Sequence, residues 1–142
     1  MNILLIEPFY TGSHKTWCDE LKQFSSNNIE LLTLSGHYWK WRMHGGAITL
    51  ARKYLEKNYS PDLILCSDML DLTTFLSLTR ARTANIPTAV YFHENQLTYP
   101  WSPDDRDVKM KRDNHYAFIN CVTALTADKV FFNSHYHMNS FL

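Results

Sequence analysis

The sequence predicts an α/β fold, a doubly wound parallel sheet of about five strands in the order 3-2-1-4-5. Three observations predict it. Short, continuously apolar runs suit strands buried on both faces. Apolar residues recur at helical spacing between those runs. The β-α alternation continues along the chain without internal repeats, which calls for right-handed crossovers and helices on both faces of the sheet.

Asn2 to Glu7 reads as the first buried strand, stopped by Pro8. Phe9 to His14 is a turn with one glycine, and Lys15 to Phe24 a helix with Trp17, Cys18, Leu21 and Phe24 on its apolar side. The turn formers Ser25 to Asn28 end that helix, and Ile29 to Leu34 supply a second strand. Ser35 to Gly46 reads as a long loop, rich in aromatics and cations, and Ala47 to Asn58 as a helix. Leu63 to Cys66 is a third strand, after which Ser67-Asp68 are expected to cap a helix from Met69 to about Ala84. Ile86 to Phe92 is the most apolar strand and ends in His93-Glu94-Asn95-Gln96. Thr98 to Arg112 is a polar loop, Asn114 to Thr126 a helix, Lys129 to Phe132 a fifth strand, and Asn133-Ser134 the cap of a last helix.

The 142 residues are 45% apolar, enough for one domain, 1–142, with a real core. Fourteen basic and fourteen acidic residues cancel, so any contact with a polyanion has to come from a local patch. Cys18, Cys66 and Cys121 are odd in number and far apart, which reads as a reduced, cytoplasmic protein without disulfides. The N-terminal apolar run is too short for a signal peptide, and no run reaches membrane-spanning length, so no membrane partner is expected.

Four constellations carry chemistry. The turn Gly12-Ser13-His14 opens a helix, whose free N–H groups and partial positive charge suit a phosphate-bearing ligand; an ordinary βα turn capped by Ser13 fits the same residues. His93-Glu94-Asn95-Gln96 stands at the carboxyl end of a buried strand, where loops and helix N-termini converge on ligands. His93 suits a substrate hydroxyl or a proton, Glu94 a base or an orienting carboxylate, and the carboxamides suit sugar hydroxyls; tying down the long loop is their alternative use. Lys40, Trp41 and Arg42 lie in a loop where cations alternate with rings, a pattern that holds a nucleic-acid backbone while rings stack on bases, or one whose tryptophans roll onto the sheet edge. Lys109, Lys111 and Arg112 would add to that positive surface. The histidines His93, His115, His135 and His137, with Glu94, offer an imaginable metal set, but their spacing is wrong for one, and no metal is expected.

The segments Ile3 to His14, Trp39-Lys40-Trp41-Arg42, Tyr91 to Pro100 and Phe132-Asn133-Ser134 together resemble the N-terminal domain of the tRNA-queuosine mannosyltransferases. The resemblance spans essentially the whole chain. It implies a Rossmann-like half of a GT-B glycosyltransferase, retaining and of the family 4 type, moving mannose from GDP-mannose to queuosine in tRNA. It implies no cofactor. It further implies that Gly12, Ser13 and His14 approach the donor diphosphate and His93 the transferred sugar. Glu94, Asn95 and Gln96 would line the acceptor side, with Asn133 and Ser134 nearby, and Lys40, Trp41 and Arg42 would be the tRNA contacts. A C-terminal donor-binding domain is expected to be missing from this chain, leaving it inactive alone. The other readings are a non-catalytic RNA-binding module and a GT-B enzyme with a small-molecule or lipid acceptor.

Overall fold

The computed structural model describes residues 1–142 as an α/β domain. The strands are β1 (Asn2–Tyr10), β2 (Asn28–Ser35), β3 (Leu63–Ser67), β4 (Thr88–Phe92) and β5 (Lys129–Phe132). The helices are α1 (Gly12–Phe24), α2 (Trp39–Glu56), α3 (Leu72–Thr83), α4 (Arg106–Lys109), α5 (Asn114–Thr126) and α6 (His135–Phe141). All strand pairs are parallel. The predicted class therefore holds.

The strand order is 2-1-3-4-5, not 3-2-1-4-5. The burial of each strand gives the reason. β2 buries Ile29 and Leu32 while Glu30 and Thr33 stay half-exposed, a pattern that suits an edge; β3 is apolar from Leu63 to Cys66 and sits inside, against β1 and β4. The handedness of the crossovers then sorts the helices. Only the β1-to-β2 connection runs toward the β2 edge, so α1 covers one face, packing Cys18, Trp17 and Leu21 on Ile3, Leu5 and Ile29. The remaining connections run the other way, and the larger core of Leu4, Ile6, Leu50, Tyr54, Phe75, Val90 and Phe92 forms on the opposite face.

Several boundaries differ from the sequence-based expectation. β1 continues through Pro8 to Tyr10 because a shift in the β1–β2 register between Glu7 and Tyr10 absorbs the missing N–H. α1 begins at Gly12, whose positive φ of 51° makes the sharp exit from the strand, so Ser13 lies inside the helix and is not its cap. The expected loop Ser35 to Gly46 shrinks to three residues, because α2 starts at Trp39. There Met43, Gly46 and Ala47 are buried at helical spacing, and Gly46 carries no Cβ to crowd Pro8. Asp71, not Ser67-Asp68, caps α3 by accepting the Thr74 N–H at 2.9 Å. No helix is long and apolar enough to cross a membrane.

Candidate functional site

The point where strand order reverses lies between β1 and β3, and ligands of open α/β sheets sit at the carboxyl ends of such strands. Side-chain alternation sets what faces that crevice. Along β1, Ile3, Leu5 and Glu7 point to the α1 face; along β4, Tyr91 and the following His93 point the same way. Trp17 of α1 lies on Tyr91 (centroids 4.6 Å apart, nearly parallel) and meets His93 edge-on at 4.9 Å.

Glu7 and His14 are buried together. Glu7 Oε2 lies 3.0 Å from His14 Nδ1, and Glu7 Oε1 accepts the Phe9 N–H at 2.8 Å. Burial alone would lower the His14 pKa, but the hydrogen bond and charge of Glu7 outweigh it and hold it above the ordinary histidine value. The His14 ring stands 4.2 Å from that of His93. Burial, with the charge on His14 behind it, drives His93 down to about 4, so its imidazole is neutral at neutral pH. Asp68, at the end of β3, accepts the His93 N–H at 2.8 Å, and burial pushes its carboxyl up to about 8. Burial also raises Glu94. His93 Nε2, Asp68 Oδ2 and Gln96 Oε1 are buried without a hydrogen-bond partner.

Two adjoining hollows open above these groups and share Glu94 and Tyr99. One, of about 340 Å³, is lined by Gly12, Ser13, His14, Glu94, Gln96 and Tyr99 among others. The second, of about 240 Å³, takes His93, Glu94, Asn95, Asn133, Ser134 and His137. All nine residues expected to be catalytic or substrate-binding therefore come together on one rim. Some have structural duties as well. Asn95 Oδ1 accepts the Leu97 and Thr98 N–H groups and so turns the loop; Asn133 donates to the His93 carbonyl at 2.7 Å; Ser134 caps α6. Asn120 of α5 braces the floor, donating to the Asp68 carbonyl and accepting the Gln96 N–H.

The expected nucleic-acid residues lie elsewhere, on the first turn of α2. Lys40 reaches Asp105 at 2.7 Å and Asp107 at 2.6 Å, within 5.0 Å of the centre of the Trp101 ring. Arg42 donates to the Ser35 carbonyl and hydroxyl. Trp41 is 72% exposed.

Sequence reasoning passed over Glu7, Asp68 and Trp17 as site residues. Glu7 was legible as the one carboxylate in an otherwise apolar strand, and Asp68 as a carboxylate ending another. The imagined metal set does not assemble: His115 stacks on His44, and His135 is exposed. Glu7, His14 and His93 instead bring one potential ligand atom each within 4.8 Å of one another.

Comparison with known sequences decides the family. Residues 2–142 match the sequence model described as tRNA-queuosine alpha-mannosyltransferase N-terminal. The chain belongs to this family. A tRNA-queuosine alpha-mannosyltransferase of Drosophila melanogaster is 37% identical to it over 142 residues. That alignment takes in 99% of the chain and 36% of the relative, so the chain spans about a third of the relative's length. The family match runs through all the rim segments, from Glu7 to Ser134, and through the Trp39–Arg42 turn.

Proposed function

We propose that the chain is the acceptor-side domain of a retaining GT-B mannosyltransferase that moves mannose from GDP-mannose to queuosine in tRNA. The donor nucleotide is carried by a second domain of a longer cytoplasmic protein, and this domain alone does not turn over. The observation that carries the reading is the rim itself, where Gly12, Ser13, His14 and the His93 to Gln96 run line two adjoining hollows at the carboxyl edge of the sheet. Membership of the family supports the acceptor and the sugar.

Each residue has a part that its surroundings suit. No side chain caps α1, so the N–H groups of its first turn and its positive end remain open to a diphosphate. Gly12 gives the backbone there no side chain. His14, whose pKa Glu7 raises, stands behind that turn, where its protonated form adds charge and stabilises the leaving diphosphate. His93, neutral, accepts a hydrogen bond from a hydroxyl of the transferred sugar. Glu94 and Gln96 line the acceptor side. With Lys40 and Arg42 engaged within the fold, Trp41 is the residue of that turn placed to stack on an RNA base.

The test is transfer by the longer protein containing this domain, with GDP-mannose and queuosine-bearing tRNA, read as mannosylated nucleoside by mass spectrometry. His93→Ala should lower kcat by about 100-fold or more. Trp41→Ala should raise KM for tRNA and leave kcat alone. Full turnover by His93→Ala, or equal binding of tRNA with and without queuosine and no transfer, would defeat the reading.

A further inference from the structure

A second pair of hollows adjoins the crevice. One, of about 580 Å³, has Lys111, Arg112 and His115 on its wall; the other, of about 480 Å³, has Trp41 and Arg106, and the two share His44, Asp107 and Tyr116. Two rings join them to the crevice. Tyr116 stands 5.2 Å from Trp39, and Trp39 lines the hollow beside Gly12.

The chemistry of these walls suits a polyanion. Asp107 is the only carboxylate on either wall, and it is already engaged by the Lys40 ammonium at 2.6 Å, the Tyr116 hydroxyl at 3.3 Å and the Arg112 guanidinium at 3.5 Å. Asp104 and Asp105 close by are taken by Lys109 and Lys40. Lys111 and Arg106 are exposed and have no carboxylate within ion-pair reach. Lys111 also holds a left-handed φ of 54°, which a residue with a Cβ adopts at a cost, and such strain collects where a residue has a task. His44 and His115 stack with centroids 4.3 Å apart and planes 16° from parallel, both exposed and both without a side-chain hydrogen bond in the fold. Their ring N–H groups are open to an anion. Trp41 is exposed 6.3 Å from His44 and sets a flat face beside the cations. Cations beside an exposed ring hold a nucleic-acid strand, with phosphates on the charges and a base on the ring.

We propose that these hollows bind the RNA strand flanking the nucleotide held in the crevice. Lys111, Arg112 and the His44–His115 pair donate to phosphate oxygens, and Trp41 stacks on a base. Contacts to the backbone read neither sequence nor modification; their part is to fix the register in which the modified nucleoside enters the crevice. This rests on the reading of the crevice as the acceptor side of a tRNA-modifying enzyme, and it adds the surface that carries the strand.

The experiment is fluorescence anisotropy of the chain with end-labelled tRNA carrying either queuosine or guanosine at the modified position, over a salt series. Lys111→Gln and His115→Ala are each expected to weaken binding about 3- to 10-fold, by the same factor for both tRNAs, and Lys111→Gln to lower the salt slope by about one. Bound tRNA should also slow tryptic cleavage after Lys111 and Arg112. Neither the Lys111 nor the His115 side chain ties down another element by a hydrogen bond or ion pair, so the melting curves of both variants should match the parent and separate lost contacts from a lost fold. Arg80→Gln, in the last turn of α3, should bind as the parent does. No binding of either tRNA, unchanged affinity and salt slope in the folded Lys111→Gln and His115→Ala chains, a loss confined to one tRNA, or an equal loss in Arg80→Gln would overturn the proposal. Absence of mannosyl transfer by the longer protein, with the binding losses as expected, would instead defeat the functional reading and leave the RNA surface standing.

Discussion

At the scale of single residues, the polar groups of this protein act through whichever neighbour burial brings them. Asp128 gives a case with a clear sign. Its carboxylate accepts the Thr88 N–H at 2.8 Å and the Thr88 hydroxyl at 3.0 Å, tying the start of β4 to the residue before β5. Those hydrogen bonds hold its pKa below the ordinary aspartate value. The folded state therefore binds this proton less readily than the unfolded chain does. The stabilisation is present above the unfolded value of about 3.9 and is lost as pH falls through the folded one. Asp128→Ala should be less stable than the parent at pH 7, with the difference narrowing below about pH 4; urea unfolding at both pH values measures it. Whether Asp128 would cap, pair or stand free was not legible in the sequence, because Thr88 lies forty residues away.

Helices and loops here are held by a few side chains at their ends. Asp71 caps α3 through the Thr74 N–H and hydroxyl, so Asp71→Ala should cost about 1 kcal/mol, seen as a lower unfolding midpoint at unchanged m-value. Lys40 performs a longer-range duty. Its ammonium joins the start of α2 to Asp105 and Asp107 at the start of α4, over a ring of Trp39, Trp101 and Tyr116. Lys40→Ala should expose the segment around Lys109, Lys111 and Arg112 to faster cleavage in limited trypsin digestion while the sheet core stays intact. An unchanged cleavage rate would mean that the rings alone hold the segment. The sequence pattern placed most helices within a few residues, since Leu50, Ala51 and Tyr54 or Ile119 and Thr123 repeat with helical period. It failed at Trp39 to Gly46, where two glycines and exposed rings read as loop. Burial of Gly46 against Pro8 and Leu34, and of Met43 with Met69, Tyr116 and Ile119, makes that stretch helical, a tertiary override of weak local preference.

Over the whole molecule, stability rests on the larger core between the sheet and helices α2, α3 and α5. Phe75 is fully buried there against Tyr54. Phe75→Ala should cost about 3–5 kcal/mol, a large share of the 5–15 kcal/mol expected of a domain this size, and thermal unfolding by circular dichroism should fall by more than about 10 °C. The α1 face is thinner, and it is the face that carries Glu7, His14 and His93. The site thus sits beside the lighter layer, with the main core on the other side of the sheet to keep it in register.

By itself the sequence determined the parallel α/β class and the segments that reach the carboxyl rim of the sheet. Continuous apolar runs and helical spacing are local signals, and a run of polar residues directly after a buried strand marks the sheet's carboxyl rim. Tertiary structure alone decided the strand order and the meeting of Glu7, His14, Asp68 and His93. A strand's own pattern is the same whichever strand lies beside it, and only the docking of β3 on the far side of β1 sets the ends of three distant segments around one crevice.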